Sequence, residues 1–420
     1  MQRRVMTNYL YYYNYQHHKD LANIPEAPIA PGYDDMTWTR QDLQILMARY
    51  HPAGLREFGL GLEPSLLQLV PDLMCAHRLT RLELCAIKEE TKLEPIIDFI
   101  ATHNRQYGTL RDLKIQGSGP SHDPLRLVQC MDRPRLIDLS EWAQPVMRLD
   151  RIARDHLESL HLRLRERSPS EVTPIFLSTC PSLKILTMQV NKPDLFKPFI
   201  RDRFGTNSHP FWSELQSEDG QMSSRAFNTS KESLGHIPLS HMELSGEKSI
   251  LVPCLMDIAS AFQDTLQELV VNSWHFADHS DTKASLAWNH ILPRLTRLEL
   301  KGPIVLAFNL DTLVHCPSLR SLILDLPTLT HSVSGHKLAS LASLRQLREL
   351  SLEGKWYIGD HLLDYLSDHL QSLERLSLEG CMGPTSNGLL KAIKKMKSLQ
   401  WYCNTSVGAC MRLGMTLALL

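Results

Sequence analysis

One phrase, L-x-x-L-x-L, recurs along this 420-residue chain and decides what it can fold into. Clean copies are Leu79-Leu82-Leu84, Leu157-Leu160-Leu162, Leu295-Leu298-Leu300, Leu319-Leu322-Leu324, Leu347-Leu350-Leu352 and Leu373-Leu376-Leu378. Conservative variants stand at Leu110-Leu113-Ile115, Leu183-Leu186-Met188, Leu239-Met242-Leu244 and Leu266-Leu269-Val271, and weaker copies begin at Leu55, Leu136 and Leu399. From Leu295 onward the copies are 24, 28, 26 and 26 residues apart. One copy carries no information. Self-similarity at a period of about 20–29 residues is the signature of a stacked repeat.

The physics follows from the spacing. The last two leucines of each copy lie two apart, so they share one face of a short strand. The first leucine turns the chain into that strand. Short amphipathic helices fill the return. Asp360 to Leu370 sets Leu362, Leu363, Leu366 and Leu370 on one side, with Asp360 as the expected N-cap; Ser386 to Met396 does the same with Leu389, Leu390, Ile393 and Met396. Pro95 and Pro174 stand near helix starts, and Cys180-Pro181 and Cys316-Pro317 just past helix ends. No repeat buries its leucines alone, so each must stack on the next. Strands stack about 4.8 Å apart and helices about 10 Å, which forces the strands inside. The expected fold is therefore α/β. It is a leucine-rich-repeat solenoid, a horseshoe with about thirteen parallel strands on its concave face and helices on its convex face.

The pattern also sets the domain limits. Residues 1–50 lack the motif, carry Pro25, Pro28, Pro31 and Gly32, and are expected to be a poorly ordered segment or a degenerate cap. Residues 51–405 form the repeat array. It is interrupted near 200–236 by a polar insertion, either a long loop or a degenerate repeat, because the copies at Leu183 and Leu239 are 56 residues apart. Residues 406–420 are expected to be a C-terminal cap or tail.

The later copies carry a finer resemblance. Leu373 to Leu390 reads L-E-R-L-S-L-E-G-C-M-G-P-T-S-N-G-L-L, with Cys381 after the strand and Thr385 before the helix. The endings T-C-P-S-L (Thr179 to Leu183) and H-C-P-S-L (His315 to Leu319) agree with it. Over about residues 50–405 the chain resembles the cysteine-containing, ribonuclease-inhibitor-like leucine-rich repeats of F-box proteins, especially fungal ones. That family places a small or amide residue after the strand to bond the neighbouring turn. Here the slot holds Cys381 and Asn191, but also Lys355, Pro303, Pro327 and Trp274. The F-box itself, about 45 residues opening on Leu-Pro, is not found. Residues 1–45 offer Ile24-Pro25 and the cluster Tyr9, Tyr11, Tyr12, Tyr13 and Tyr15 instead. The resemblance implies a substrate-recognition subunit of an SCF-type ubiquitin ligase, with an F-box adaptor and a cullin as partners. The alternatives are a stand-alone repeat scaffold and a leucine-rich-repeat GTPase activator.

Charge and motif narrow the chemistry. Lys plus Arg number 45 against 46 Asp plus Glu, so no basic excess points to nucleic acid. No apolar run is long enough to span a membrane. Nine cysteines include no C-x-x-C pair and give no disulfide framework. They read as small apolar fillers in a reducing compartment, cytoplasmic or nuclear. Phosphate-loop, nucleophile-elbow and zinc-protease signatures are missing from the sequence, so neither an enzyme nor a cofactor is expected. His275, Asp278, His279 and Asp281 are metal-capable but read as a solvated loop.

What remains is a protein partner on the concave face, where the residues between the leucines project. Both signs interleave there, which suits a protein read by complementary charge; the alternative is that these charges pair across adjacent strands. The best-formed consecutive repeats nominate Arg297, Arg320, Arg348, Glu349 and Arg375 as partner-binding residues on one surface.

Overall fold

The computed structural model describes residues 57–61, 78–87, 94–117, 125–139, 155–163, 180–190, 237–274, 291–326, 333–404 and 409–412. The expectations for residues 1–50, for the 200–236 insertion, for the His275 to Asp281 group and for the tail outside 409–412 lie beyond them. Two compact units divide the chain, residues 1–183 and 184–420.

In the first unit five strands run side by side. They are β1 (Glu57–Gly61), β2 (Arg81–Ile87), β3 (Asp112–Gly117), β4 (Leu136–Leu139) and β5 (Ser159–Arg163), each parallel to the next. The register sets Leu82, Leu113, Ile137 and Leu160 in one row, all fully buried. Helix α1 (Glu94–Tyr107) returns the chain from β2. Its second residue is Pro95, whose missing N–H costs nothing in a first turn. Ile96, Phe99, Ile100 and His103 recur at helical spacing and are buried. Gly108, at φ 60°, ends the helix by donating its N–H to the Asn104 carbonyl at 2.8 Å. A short helix α2 (Leu125–Gln129) follows β3. The weak copy is shifted: Leu136 pairs with Asp112 on the half-buried face, and buried Pro134 takes the first position instead.

The second unit continues the same scheme. Parallel strands β6 (Ile185–Val190), β7 (His241–Glu247), β8 (Glu268–Trp274), β9 (Arg297–Lys301) and β10 (Ser321–Asp325) follow in ladder order. β6 pairs β7 directly, so no repeat strand stands between them despite the long interval. A two-residue strand, β11 (Val333–Ser334), lies outside the main ladder and pairs β13 (Trp356–Tyr357). The main ladder passes from β10 to β12 (Glu349–Glu353), then to β14 (Arg375–Ser377) and β15 (Trp401–Asn404). It closes on β16 (Ala409–Arg412), which is antiparallel. Within each unit the copies of the phrase are thus parallel strands, and the leucine-rich-repeat solenoid is the fold.

The return segments are helix α3 (Lys248–Ala261), helix α4 (Ile304–Ala307), 3-10 turns at Leu310–His315 and Gly335–Ser343, and helices α5 (Asp360–His369) and α6 (Ser386–Lys395). Leu298, Leu322, Leu350, Leu376 and Tyr402 form one buried row of the ladder. Each fully buried leucine stabilises by roughly 1.5–3 kcal/mol, gained only when the next repeat is in place.

Two expectations need correcting. Gly359, not Asp360, is the N-cap of α5. The Asp360 carboxylate instead accepts from the Thr385 amide at 2.8 Å and from the Thr385 hydroxyl at 2.6 Å, tying α5 to the next repeat. Thr385 in turn caps α6 by accepting from the Gly388 amide at 3.0 Å. The cysteines are not all unpaired either. Cys403 is disulfide-bonded, and its register partner across β15 and β16 is Cys410. Nothing in the spacing of the cysteines announces a bonded Cys403.

Candidate protein-interaction face

Strand alternation builds this face. Where leucines point into the core, the residues between them point away from it. Three rows result in the second unit. In the first row, Arg297, Ser321, Glu349, Arg375 and Trp401 stand side by side. In the second, Glu299, Ile323, Ser351 and Ser377 do. In the third, Lys301, Asp325 and Glu353 do, with Glu379 at the same position of the next repeat.

A further row precedes the strands. Arg320 donates its backbone N–H to Thr296, Arg348 to Arg320, Glu374 to Arg348 and Gln400 to Glu374, at 2.7 to 2.8 Å. The five nominated residues therefore occupy two neighbouring rows. Arg297, Glu349 and Arg375 lie on the strands, and Arg320 and Arg348 where the strands begin.

Much of the charge is spent locally. Glu299 is 7% exposed and accepts from Arg297 at 2.7 Å and from Lys301 at 2.6 Å. Burial pushes its carboxyl up, but the hydrogen bonds and charges of Lys301 and Arg297 outweigh burial and hold it below the usual glutamate range. The same hydrogen bonds raise Arg297 and Lys301. Glu349 meets Arg375 at 3.9 Å and accepts from the Ser321 hydroxyl at 2.7 Å, and Arg348 meets Glu374 at 3.4 Å. Asp325 moves the other way. Burial and the neighbouring Glu353 carboxylate raise it, against the pull of Lys301.

The first unit repeats the device. Residues 78–84 and 294–300 are the same heptapeptide, R-L-T-R-L-E-L. Glu83 is buried like Glu299, and meets Lys114 at 3.4 Å and Arg81 at 3.9 Å. Lys114 also reaches Asp138 at 4.0 Å, and Asp112 holds Arg135 in a fork at 2.6 and 3.0 Å.

No protein-family model and no curated protein matches the sequence. Among solved structures the chain is similar to one in the crystal structure of the Rad7 and Elc1 complex in yeast. The two are 15% identical, with 83% of this chain and 75% of that chain covered and a TM-score of 0.40.

The post-strand slot also took an unforeseen form. Cys381 is buried and donates its thiol to the Leu352 carbonyl at 3.2 Å, as the resemblance implies. Burial drives that thiol up to about 12, so it stays protonated and can donate. In the repeat after β8 the bond is made one position before the slot. Ser273 donates to the Lys301 carbonyl at 2.9 Å and accepts from the Ile304 amide at 2.8 Å. The third row of charges was likewise missed; its signal was an ionisable residue directly after the last leucine of four successive copies. Among the described residues no group of three or more His, Cys, Asp or Glu could hold a metal. Among them too, no helix is long and apolar enough to cross a membrane.

Proposed function

We propose that this chain is a protein-recognition scaffold, without catalysis of its own, that binds a partner on the strand face of its repeats. One observation carries the reading. The in-register ladder from β9 to β15 sets the variable residues of successive repeats in contiguous rows, on the face opposite the buried leucines. Such rows give a rigid, sequence-tunable surface for complementary charge. The finer reading is substrate recognition in an SCF-type ubiquitin ligase, with an F-box adaptor and a cullin, in cytoplasm or nucleus. It rests on the resemblance of the Cys381 repeat to F-box proteins. The stand-alone scaffold and the GTPase activator are the competing readings.

The test is affinity purification of the tagged full chain from its own cells, with mass spectrometry, alongside a charge-swapped variant. Glu349→Lys with Arg375→Glu keeps an ion pair at that place but inverts its polarity. Lys394→Glu, on the helix layer, is the control. The reading expects partners lost in the swap and kept in the control. Equal recovery in all three chains overturns it. An adaptor and a cullin among the partners would support the ligase reading, and other proteins without them the stand-alone scaffold. A GTPase whose hydrolysis rises with added chain would favour the activator.

A further inference from the structure

The cations that are not neutralised on this face share one edge. In the turns leading into β9, β12 and β15 stand Arg294, Arg345 and Lys397, all exposed. Beside them, in the row where the strands begin, stand Arg320 and Arg348. Glu374 is the sole carboxylate in these turns and this row between residues 293 and 400, and Arg348 takes it. Among the described residues Arg294, Arg320, Arg345 and Lys397 make no ion pair. Arg320 and Arg348 are ladder neighbours, about 4.8 Å apart at the backbone, an arrangement that costs energy for like charges. The opposite edge is acidic, with Asp325, Glu353 and Glu379 in successive repeats. Elsewhere in this unit Glu299, Asp364 and Glu349 each have a cation at hand.

A plain explanation exists for some basic residues here, because helix C-termini favour cations. It accounts for Lys394 and Lys395, which lie in the last turn of α6. It does not reach Arg320 and Arg348, which stand immediately before β10 and β12.

We propose that the strand-start edge of the second unit, from Arg294 to Lys397, docks an acidic protein segment. The inference rests on the scaffold reading and names the partner's chemistry. A phosphate backbone fits less well. It would meet Glu349 and buried Glu299 one row away and the acidic edge beyond, whereas a protein segment can answer those carboxylates with its own amides and cations.

Fluorescein-labelled hexaglutamate is the probe, read by fluorescence anisotropy on the full chain at low ionic strength. Saturable binding is expected, weakening as salt rises. Arg320→Glu with Arg345→Glu removes two exposed, unpaired cations and should leave melting unchanged while lowering affinity by about tenfold or more. Lys394→Glu should bind as the parent does. No binding of hexaglutamate overturns the proposal, as does equal binding by the arginine variant. Tighter binding of a single-stranded oligouridylate, lost in the same variant, would make the edge a nucleic-acid site and overturn it too. If the Glu349→Lys, Arg375→Glu swap loses the cellular partner while the Arg320, Arg345 variant keeps it, only this inference fails and the scaffold reading stands.

Discussion

Leu322 and Ile323 are adjacent in β10 and similar in size, yet the fold assigns them to opposite faces. Leu322 is fully buried between Leu298 and Leu350, whereas Ile323 is half-buried in the row of Glu299 and Ser351. Truncating Leu322 to Ala removes three carbons from the core. At about 0.8 kcal/mol per methylene the lost transfer energy is about 2.4 kcal/mol. The cavity left between two stacked repeats raises the total toward about 3–5 kcal/mol, since neighbours held by their own ladders cannot collapse into it. Ile323→Ala removes a similar mass from a surface that water already reaches, and should cost under about 1 kcal/mol. Urea unfolding followed by circular dichroism gives the two values. Hydrogen exchange at the Ser321 and Glu349 amides shows whether loss is confined to neighbouring repeats, as nearest-neighbour coupling requires. Equal costs, or a larger cost at Ile323, would refute the assignment of faces and with it the interaction surface.

Three further outcomes follow from the same geometry. Glu299→Gln should destabilise at neutral pH by about 1 kcal/mol, discounted because Arg297 and Lys301 are 37% and 39% exposed. Glu299 is held below its unfolded-state value of about 4.3, so its contribution is whole above that value and lost as pH falls through the folded one. Thermal melts of parent and variant should therefore converge in acid, and a gap that widens there would contradict the sign. Gly302→Ala should cost at least about 2 kcal/mol, because its φ is 81° and the new Cβ would sit 2.0 Å from the Ser273 carbonyl oxygen. Gly359→Ala, with nothing within 4 Å, should stay within about 0.5 kcal/mol in the same urea assay. Asp360→Ala should speed hydrogen exchange at the Thr385 and Gly388 amides while leaving exchange in β9 and β10 unchanged, and protection that persists would mean the bridge to Thr385 does not order α6.

The fold was legible because its signal is repeated. Leu298, Leu322, Leu350 and Leu376 recur at one position, and no accident of composition sustains that over successive copies. Legibility failed where a single copy had to be read alone. At 134–139 leucine is the residue that catches the eye, but the pleat puts Pro134, Ile137 and Leu139 in the core and Leu136 on the half-buried face. Ser273 was missed for a related reason. The slot is defined by what its side chain can reach, and a hydroxyl one residue early reaches both the Lys301 carbonyl and the Ile304 amide. Asp360 looked like a cap because capping is a local pattern; its partner, Thr385, lies 25 residues away and meets it only once two repeats have stacked.

The binding face poses a different problem. Its five nominated residues were chosen for charge, and charge alone does not separate a residue that holds the scaffold from one that waits for a partner. Arg297 shows the difference against Arg320. Both follow the same sequence rule, but Arg297 is committed to Glu299 at 2.7 Å, and Arg320 has only Thr296 and Arg348 beside it in the ladder. Removing Arg297 would leave a nearly buried carboxylate with one cation fewer, so its loss registers first in stability. Removing Arg320 breaks no ion pair among the described residues, so its loss should register first in binding. The repeats give every position an address, and the ion pairs then decide which addresses remain open to another molecule.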